Sequence, residues 1–108
     1  MVVRLSEAEL TRVFRALADV TRRDILRRTL LGAVSVSALA ADYDMSFAAV
    51  QKHVAVLEDA GLVAKRAAGR ERLVRADAEQ LARARACLEE LELIWRHRIS
   101  ALDDVLAD

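Results

Sequence analysis

Between Ser46 and Arg75 the chain sets side chains that could read a nucleic-acid duplex. The amide of Gln51 can pair in two places with adenine. Lys52 can reach guanine or a phosphate, and His53 can donate to a base or to backbone. Ser46, Ala48 and Ala49 precede them and are small enough for close approach, with Ala48 suited to a thymine methyl group. Downstream, Lys65, Arg66, Arg70, Arg72 and Arg75 crowd around Gly69, which fits phosphates or the minor groove. A basic cluster is more often a solvated surface, and a helix-surface histidine can simply pack under a neighbouring hairpin. Sequence context decides for the cluster, because it follows directly on a helix-turn-helix pattern; Arg70 is the best-placed candidate for the minor groove.

The elements that must position these residues are legible from caps and spacing. Ser46 can cap a helix whose Phe47, Val50, Val54 and Leu57 recur at steps of three and four, one buried face, and Gly61 stops it. Ser35 opens a short helix over Val36 to Ala41, and Asp42 to Met45 form the turn, so a helix-turn-helix spans about 35–60. Strands over Leu62–Arg66 and Glu71–Arg75, joined by Ala67-Ala68-Gly69-Arg70, make a wing at about 62–75. Upstream, Ser6 precedes a helix over about 7–18 with Leu10, Val13, Phe14 and Leu17 on one face. Asp19 or Thr21 starts a second helix to Leu31, which buries Ile25, Leu26 and Leu30 and turns Arg22, Arg23, Arg27 and Arg28 outward; Gly32 ends it. Arg22 and Arg23 could touch phosphate, but surface pairing with Asp19 or Asp24 is the favoured reading.

From about Asp77 to Ala107 one long helix is expected. Leu81, Ala84, Leu88, Leu91, Trp95, Ile99, Leu102 and Leu106 fall on a single apolar seam. The first helix can cover only part of it, and pairing with a second copy around a two-fold axis is the expected solution. The alternative is a helix folded back on its own domain. The predicted class is therefore mainly α with a small β-hairpin: one winged helix-turn-helix domain over residues 1–108, with a long C-terminal dimerisation helix at about 77–107.

These residues resemble the ArsR/SmtB family of winged helix-turn-helix repressors over nearly the whole chain. The resemblance runs from Phe14-Arg15-Ala16-Leu17-Ala18-Asp19-Val20-Thr21-Arg22-Arg23-Asp24-Ile25-Leu26 through Val36-Ser37-Ala38-Leu39-Ala40. It continues over Met45-Ser46 to Leu57, Gly61-Leu62-Val63 and the Gly69-Arg70 tip. Val20 departs from it, since the family has proline there; proline favours a first helical turn without being required. The resemblance implies a homodimer on double-stranded DNA, with two recognition helices in successive major grooves and an imperfect palindrome as operator. Many relatives sense metal through cysteines on the first helix of the motif, or through aspartate and histidine on the last helix. This chain lacks both patterns, although His97 and Asp104 lie two turns apart on one face.

Composition narrows the remaining classes. With 108 residues, no proline, 3 glycines and scarce aromatics, the chain reads as one helix-rich domain with an aliphatic core. Its zero net charge hides a segregation. Residues 1–75 hold 13 Lys/Arg against 9 Asp/Glu, a surplus of four positive charges, and residues 76–108 hold 4 against 8, a surplus of four negative. Local charge governs binding to phosphates, within a screening length of about 8–10 Å. No apolar run has the length of a membrane span and Met1-Val2-Val3-Arg4 does not begin a signal peptide, so a cytoplasmic location without membrane partners is expected. No cofactor and no metal site is expected. Two histidines, one cysteine and the carboxylates assemble no catalytic constellation, which argues against an enzyme. Competing readings are a winged-helix protein-interaction module, and a redox-responsive regulator acting through Cys87, whose ordinary fate is to be a small buried hydrophobe. The operator, the regulated genes and any small-molecule inducer are not encoded in these patterns.

Overall fold

The structure, a computed structural model, describes residues 4–107; the Met1-Val2-Val3 start, read above as no signal peptide, lies outside them. Each helix begins where a short polar side chain can take an orphan amide. Ser6 caps α1 (Glu7–Leu17) reciprocally: its Oγ accepts the Glu9 amide at 3.1 Å, and its own amide donates to Glu9 Oε1 at 3.0 Å. Asp19 caps α2 (Val20–Leu31) by accepting the Arg22 amide at 3.0 Å, so Val20 takes the first helical position. That amide, helped by the nearby Arg22 guanidinium, holds the Asp19 carboxyl below the usual carboxylate range. Ser35 caps α3 (Val36–Asp42) and Ser46 caps α4 (Phe47–Asp59) in the same way.

The hairpin comprises β2 (Val63–Ala68) and β3 (Glu71–Ala76), and the chain ends in the 30-residue α5 (Ala78–Ala107). The first strand runs two residues further toward the tip than its sequence suggests, and the second starts at Glu71 as expected. Ala68 pairs with Glu71, leaving Gly69-Arg70 as a two-residue turn with Gly69 at φ 63°. A positive φ at the first central position alone is the type II′ pattern, whose twist matches that of the strands. A two-residue strand, β1 (Val34–Ser35), adds antiparallel to β3 and gives the sheet order β1-β3-β2. Two residues carry too little alternation to be read from sequence, and β1 went unpredicted.

The core is aliphatic: Val13, Ile25, Leu39, Val50, Val54, Leu57, Leu62 and Val74 are fully or almost fully buried. It joins α1, α2, α3, α4 and the sheet into one body. Two expected core residues are outside it. Leu30 is exposed, and Thr29 is buried in its place, its hydroxyl donating to the Ile25 and Leu26 carbonyls of its own helix. A threonine satisfied in this way brings no unpaired polar group into the core. Phe47 is the second exception, with 48% of its surface exposed at the first position of α4.

α4 stops at Gly61, whose φ of 75° suits glycine; a Cβ there would stand 2.9 Å from Gln80 Nε2. Buried Gln80 reaches back from α5 and donates to the Ala60 carbonyl at 2.9 Å, tying the end of α4 to the start of α5. Beyond that tie α5 leaves the domain. Ala84 is buried and Leu81 half-buried, whereas Leu88, Leu91, Trp95, Ile99, Leu102 and Leu106 are all exposed. The described chain is 69 Å long and 32 by 24 Å across, the long axis of a domain with a projecting helix.

Candidate nucleic-acid interface

The exposed side of α4 and the inner side of the hairpin form two walls of a cleft of about 180 Å³. Phe47 and Gln51 stand on the helix wall, and Lys65, Arg70 and Arg72 on the wing wall. Strand alternation explains the second group. Lys65 opposes Val74 and Ala67 opposes Arg72, so Lys65 and Arg72 share the face that carries buried Val63 and Val74. Arg66 and Arg75 alternate to the other face and do not join the cleft. Lys65 is half-buried and pairs with Glu58 of α4 at 3.4 Å, which holds the wing against the helix. Arg70 and Arg72 are exposed and make no ion pair among the described residues.

On α4 itself, Ala48, Gln51 and Lys52 are exposed and Ala49 is half-buried. Ser46 is exposed but its hydroxyl is engaged in the cap, accepting the Ala49 amide at 3.1 Å. His53 turns away from the wing. Its Nδ1 lies 3.3 Å from an Arg22 guanidinium nitrogen and 3.8 Å from Asp19 Oδ2, so it packs on the start of α2 instead of beneath the hairpin.

Arg22 and Arg23 also differ from expectation. Neither pairs with Asp19 or Asp24 through its guanidinium. Arg22 donates from Nε to the Ala16 carbonyl at 2.8 Å and from a terminal nitrogen to the Arg15 carbonyl at 2.9 Å; Arg23 donates to the Leu17 carbonyl at 2.8 Å. The Ala16 and Leu17 carbonyls, left over at the end of α1, are thus satisfied by arginines of the next helix, while the Arg15 carbonyl also accepts the Ala18 amide at 3.2 Å. The two side chains are committed to joining α1, α2 and, through His53, α4. Asp24 instead accepts the hydroxyl of Tyr43, which fastens the turn of the helix-turn-helix to α2, with Arg28 over the Tyr43 ring at 5.7 Å.

Known proteins are similar to this chain in sequence and fold. Residues 17–66 match the model of a helix-turn-helix domain. The HTH-type transcriptional regulator Rv2034 of Mycobacterium tuberculosis is 38% identical over 89 residues, 82% of this chain and 80% of its own length. A solved ArsR-like transcriptional regulator from Rhodococcus sp. RHA1 is 36% identical with a TM-score of 0.81, covering 91% of this chain and 92% of that one. The chain belongs to the ArsR family. It is a DNA-binding transcriptional regulator of that family and not an enzyme. A third relative is the homodimeric winged helix-turn-helix DNA-binding domain of Mb0332 from Mycobacterium bovis. It is 26% identical, covers 83% of this chain and 89% of its own, and superposes with a TM-score of 0.64.

In this ArsR-family regulator the lone Cys87 is half-buried. It lines a groove between the start of α1 and α5 with Leu5, Leu10 and Leu91, near the 2.9 Å Arg4–Glu90 ion pair. Among the described residues no three of the His, Cys, Asp and Glu side chains converge as metal ligands would, and no helix is long and apolar enough to cross a membrane.

Proposed function

We propose that this regulator is a homodimeric repressor that binds an imperfect palindrome near its own or a neighbouring promoter, without a metal-sensing site. The observation that carries the reading is the exposed apolar seam of α5. Leu88, Leu91, Trp95, Ile99, Leu102 and Leu106 are 40 to 74% exposed on a helix that its own domain leaves uncovered. Large exposed apolar stripes mark association surfaces. A two-fold pair joined there presents two copies of the cleft, matching half-sites about one helical turn apart. The homodimeric state of the Mycobacterium bovis relative supports the same arrangement. A DNA-bound regulator of this kind works in the cytoplasm.

Roles on DNA follow from exposure and chemistry. Gln51 reads adenine, Lys52 reaches a guanine or a phosphate, and Ser46, Ala48 and Ala49 admit the helix closely to the groove. Arg70 enters the minor groove at the wing tip and Arg72 follows the phosphates. Lys65 acts mainly by bracing the wing through Glu58. A protein-interaction module is less well served by this surface, because Gln51 and Lys52 stand on its exposed helix face and its wing is basic.

The test is fluorescence anisotropy of the protein on DNA from upstream of its own coding sequence, against random duplex, at several salt concentrations. Tight, salt-sensitive binding that favours the upstream DNA is expected. Arg70→Ala should weaken binding to every duplex and reduce the salt slope by about 0.9 per lost phosphate contact. Equal, weak binding to all duplexes would overturn the repressor reading, and an unchanged slope would remove Arg70 from the interface.

A further inference from the structure

Phe47 has the periodicity of a core residue and the exposure of a surface one. Steps of three and four connect it to Val50, Val54 and Leu57, all buried, yet 48% of its own surface is open. It opens α4 directly after the Ser46 cap, and its ring lines the cleft with Gln51 on one side and Arg70 and Arg72 across from it. Around it, the exposed residues in the first turns of this helix are polar or carry a single methyl, Ala48, Gln51 and Lys52, and the other exposed aliphatic of α4, Val56, stands nine residues further on, outside the cleft. One large apolar side chain therefore stands among groups suited to base edges and phosphates.

We propose that Phe47 is a specificity-determining residue, which makes apolar contact with the C5-methyl of a thymine in each half-site. The proposal rests on α4 entering the major groove. There the thymine methyl is the apolar feature that distinguishes one base from the others, and a phenyl ring is among the side chains that meet it. Phe47 and Gln51 are four residues apart and share one helix face. Four residues rise about 6 Å, against about 3.4 Å between base pairs, so the two side chains address base pairs one or two steps apart. Together they select a thymine and an adenine at short, defined separation. Arg72 on the opposite wall sets the depth of the helix through the phosphates and carries no sequence information itself.

The experiment begins by selecting bound duplexes from a random library with the intact protein, which yields the operator. Each thymine of that operator is then replaced singly by deoxyuridine, which removes the methyl and keeps every hydrogen-bonding group. Affinities are measured for the parent, Phe47→Ala, Phe47→Leu and Gln51→Ala, with circular dichroism to confirm that each is folded. One deoxyuridine position per half-site should weaken the parent about fourfold, the worth of burying one carbon group. The same replacement should leave Phe47→Ala unaffected, a non-additivity that locates the contact. Gln51→Ala should keep the full deoxyuridine effect, and Phe47→Leu part of it. If the parent binds every deoxyuridine operator as well as the original, or Phe47→Ala retains the same penalty, the assignment is wrong. If no sequence is enriched at all, sequence-specific DNA reading by α4 fails first and the role of Phe47 falls with it.

Discussion

A variant carrying both Leu91→Asp and Ile99→Asp is expected to sediment as a monomer and to bind a palindromic operator roughly 10²–10⁴-fold more weakly than the parent. Linking two binding units raises the effective concentration of the second, and its loss forfeits that factor without touching a DNA contact. Leu91 and Ile99 are suited to the test because their side chains are 58 and 40% exposed and lie outside the buried core. Charges there should leave the winged domain folded, with its thermal transition close to that of the parent. Binding to a single half-site should be nearly unchanged. Sedimentation velocity and anisotropy on full and half operators separate these quantities. A variant that remained dimeric would show that the copies meet elsewhere, and one that was monomeric with full affinity would show that pairing is unnecessary.

Replacing Arg22 by alanine should cost about 2 kcal/mol of folding stability, read as a lowered urea midpoint. The Arg22 guanidinium satisfies the Ala16 carbonyl at 2.8 Å, adds a second donor at 2.9 Å to the Arg15 carbonyl that also accepts the Ala18 amide, and meets His53 of α4 at 3.3 Å. Hydrogen bonds to charged groups contribute about 1.5–3 kcal/mol each when removal leaves the partner unsatisfied, and Arg22 is only half-buried, which lowers the sum. Arg22→Lys should recover little, because one ammonium cannot reproduce a fork that serves two carbonyls from Nε and a terminal nitrogen. The Asp19 cap uses the backbone amide of residue 22 and survives both substitutions. Since that cap depresses the Asp19 carboxyl, its contribution is complete above the ordinary carboxylate pKa and is lost as pH falls through the lowered value. Acid sensitivity from this source should therefore be shared by variant and parent. An unchanged urea midpoint in Arg22→Ala would mean that water serves those carbonyls equally well.

The elements are legible in the sequence through interactions between residues close along the chain. Ser6, Ser35 and Ser46 cap helices by reaching amides three residues on, and Gly61 ends α4 through its own φ, so each signal is complete within a few positions. The exposure of the candidate DNA-reading residues follows from the same local patterns: Gln51 and Lys52 stand on the open helix face, Arg70 and Arg72 on the wing. What escaped depends on neighbours distant in sequence. Arg22 and Arg23 look like surface cations until α1 is placed with its last carbonyls beside them. Gln80 has no cap or periodicity to single it out, and its role exists only because Ala60 ends a helix twenty residues earlier. Arg66 differs from Lys65 by one residue, which in a strand is the difference between opposite faces. Phe47 keeps the period of the core but begins the helix, where no preceding turn covers it.

The distribution of aromatic residues has an optical consequence. The core is built from aliphatic side chains, and the single tryptophan, Trp95, stands 59% exposed on α5, away from the buried core. Its emission therefore reports the polarity of the seam and is nearly blind to the packing of the winged domain. Diluting the protein should move the emission to longer wavelength as partners separate, while the helical circular dichroism stays constant. The chain carries one intrinsic gauge for association and another for folding.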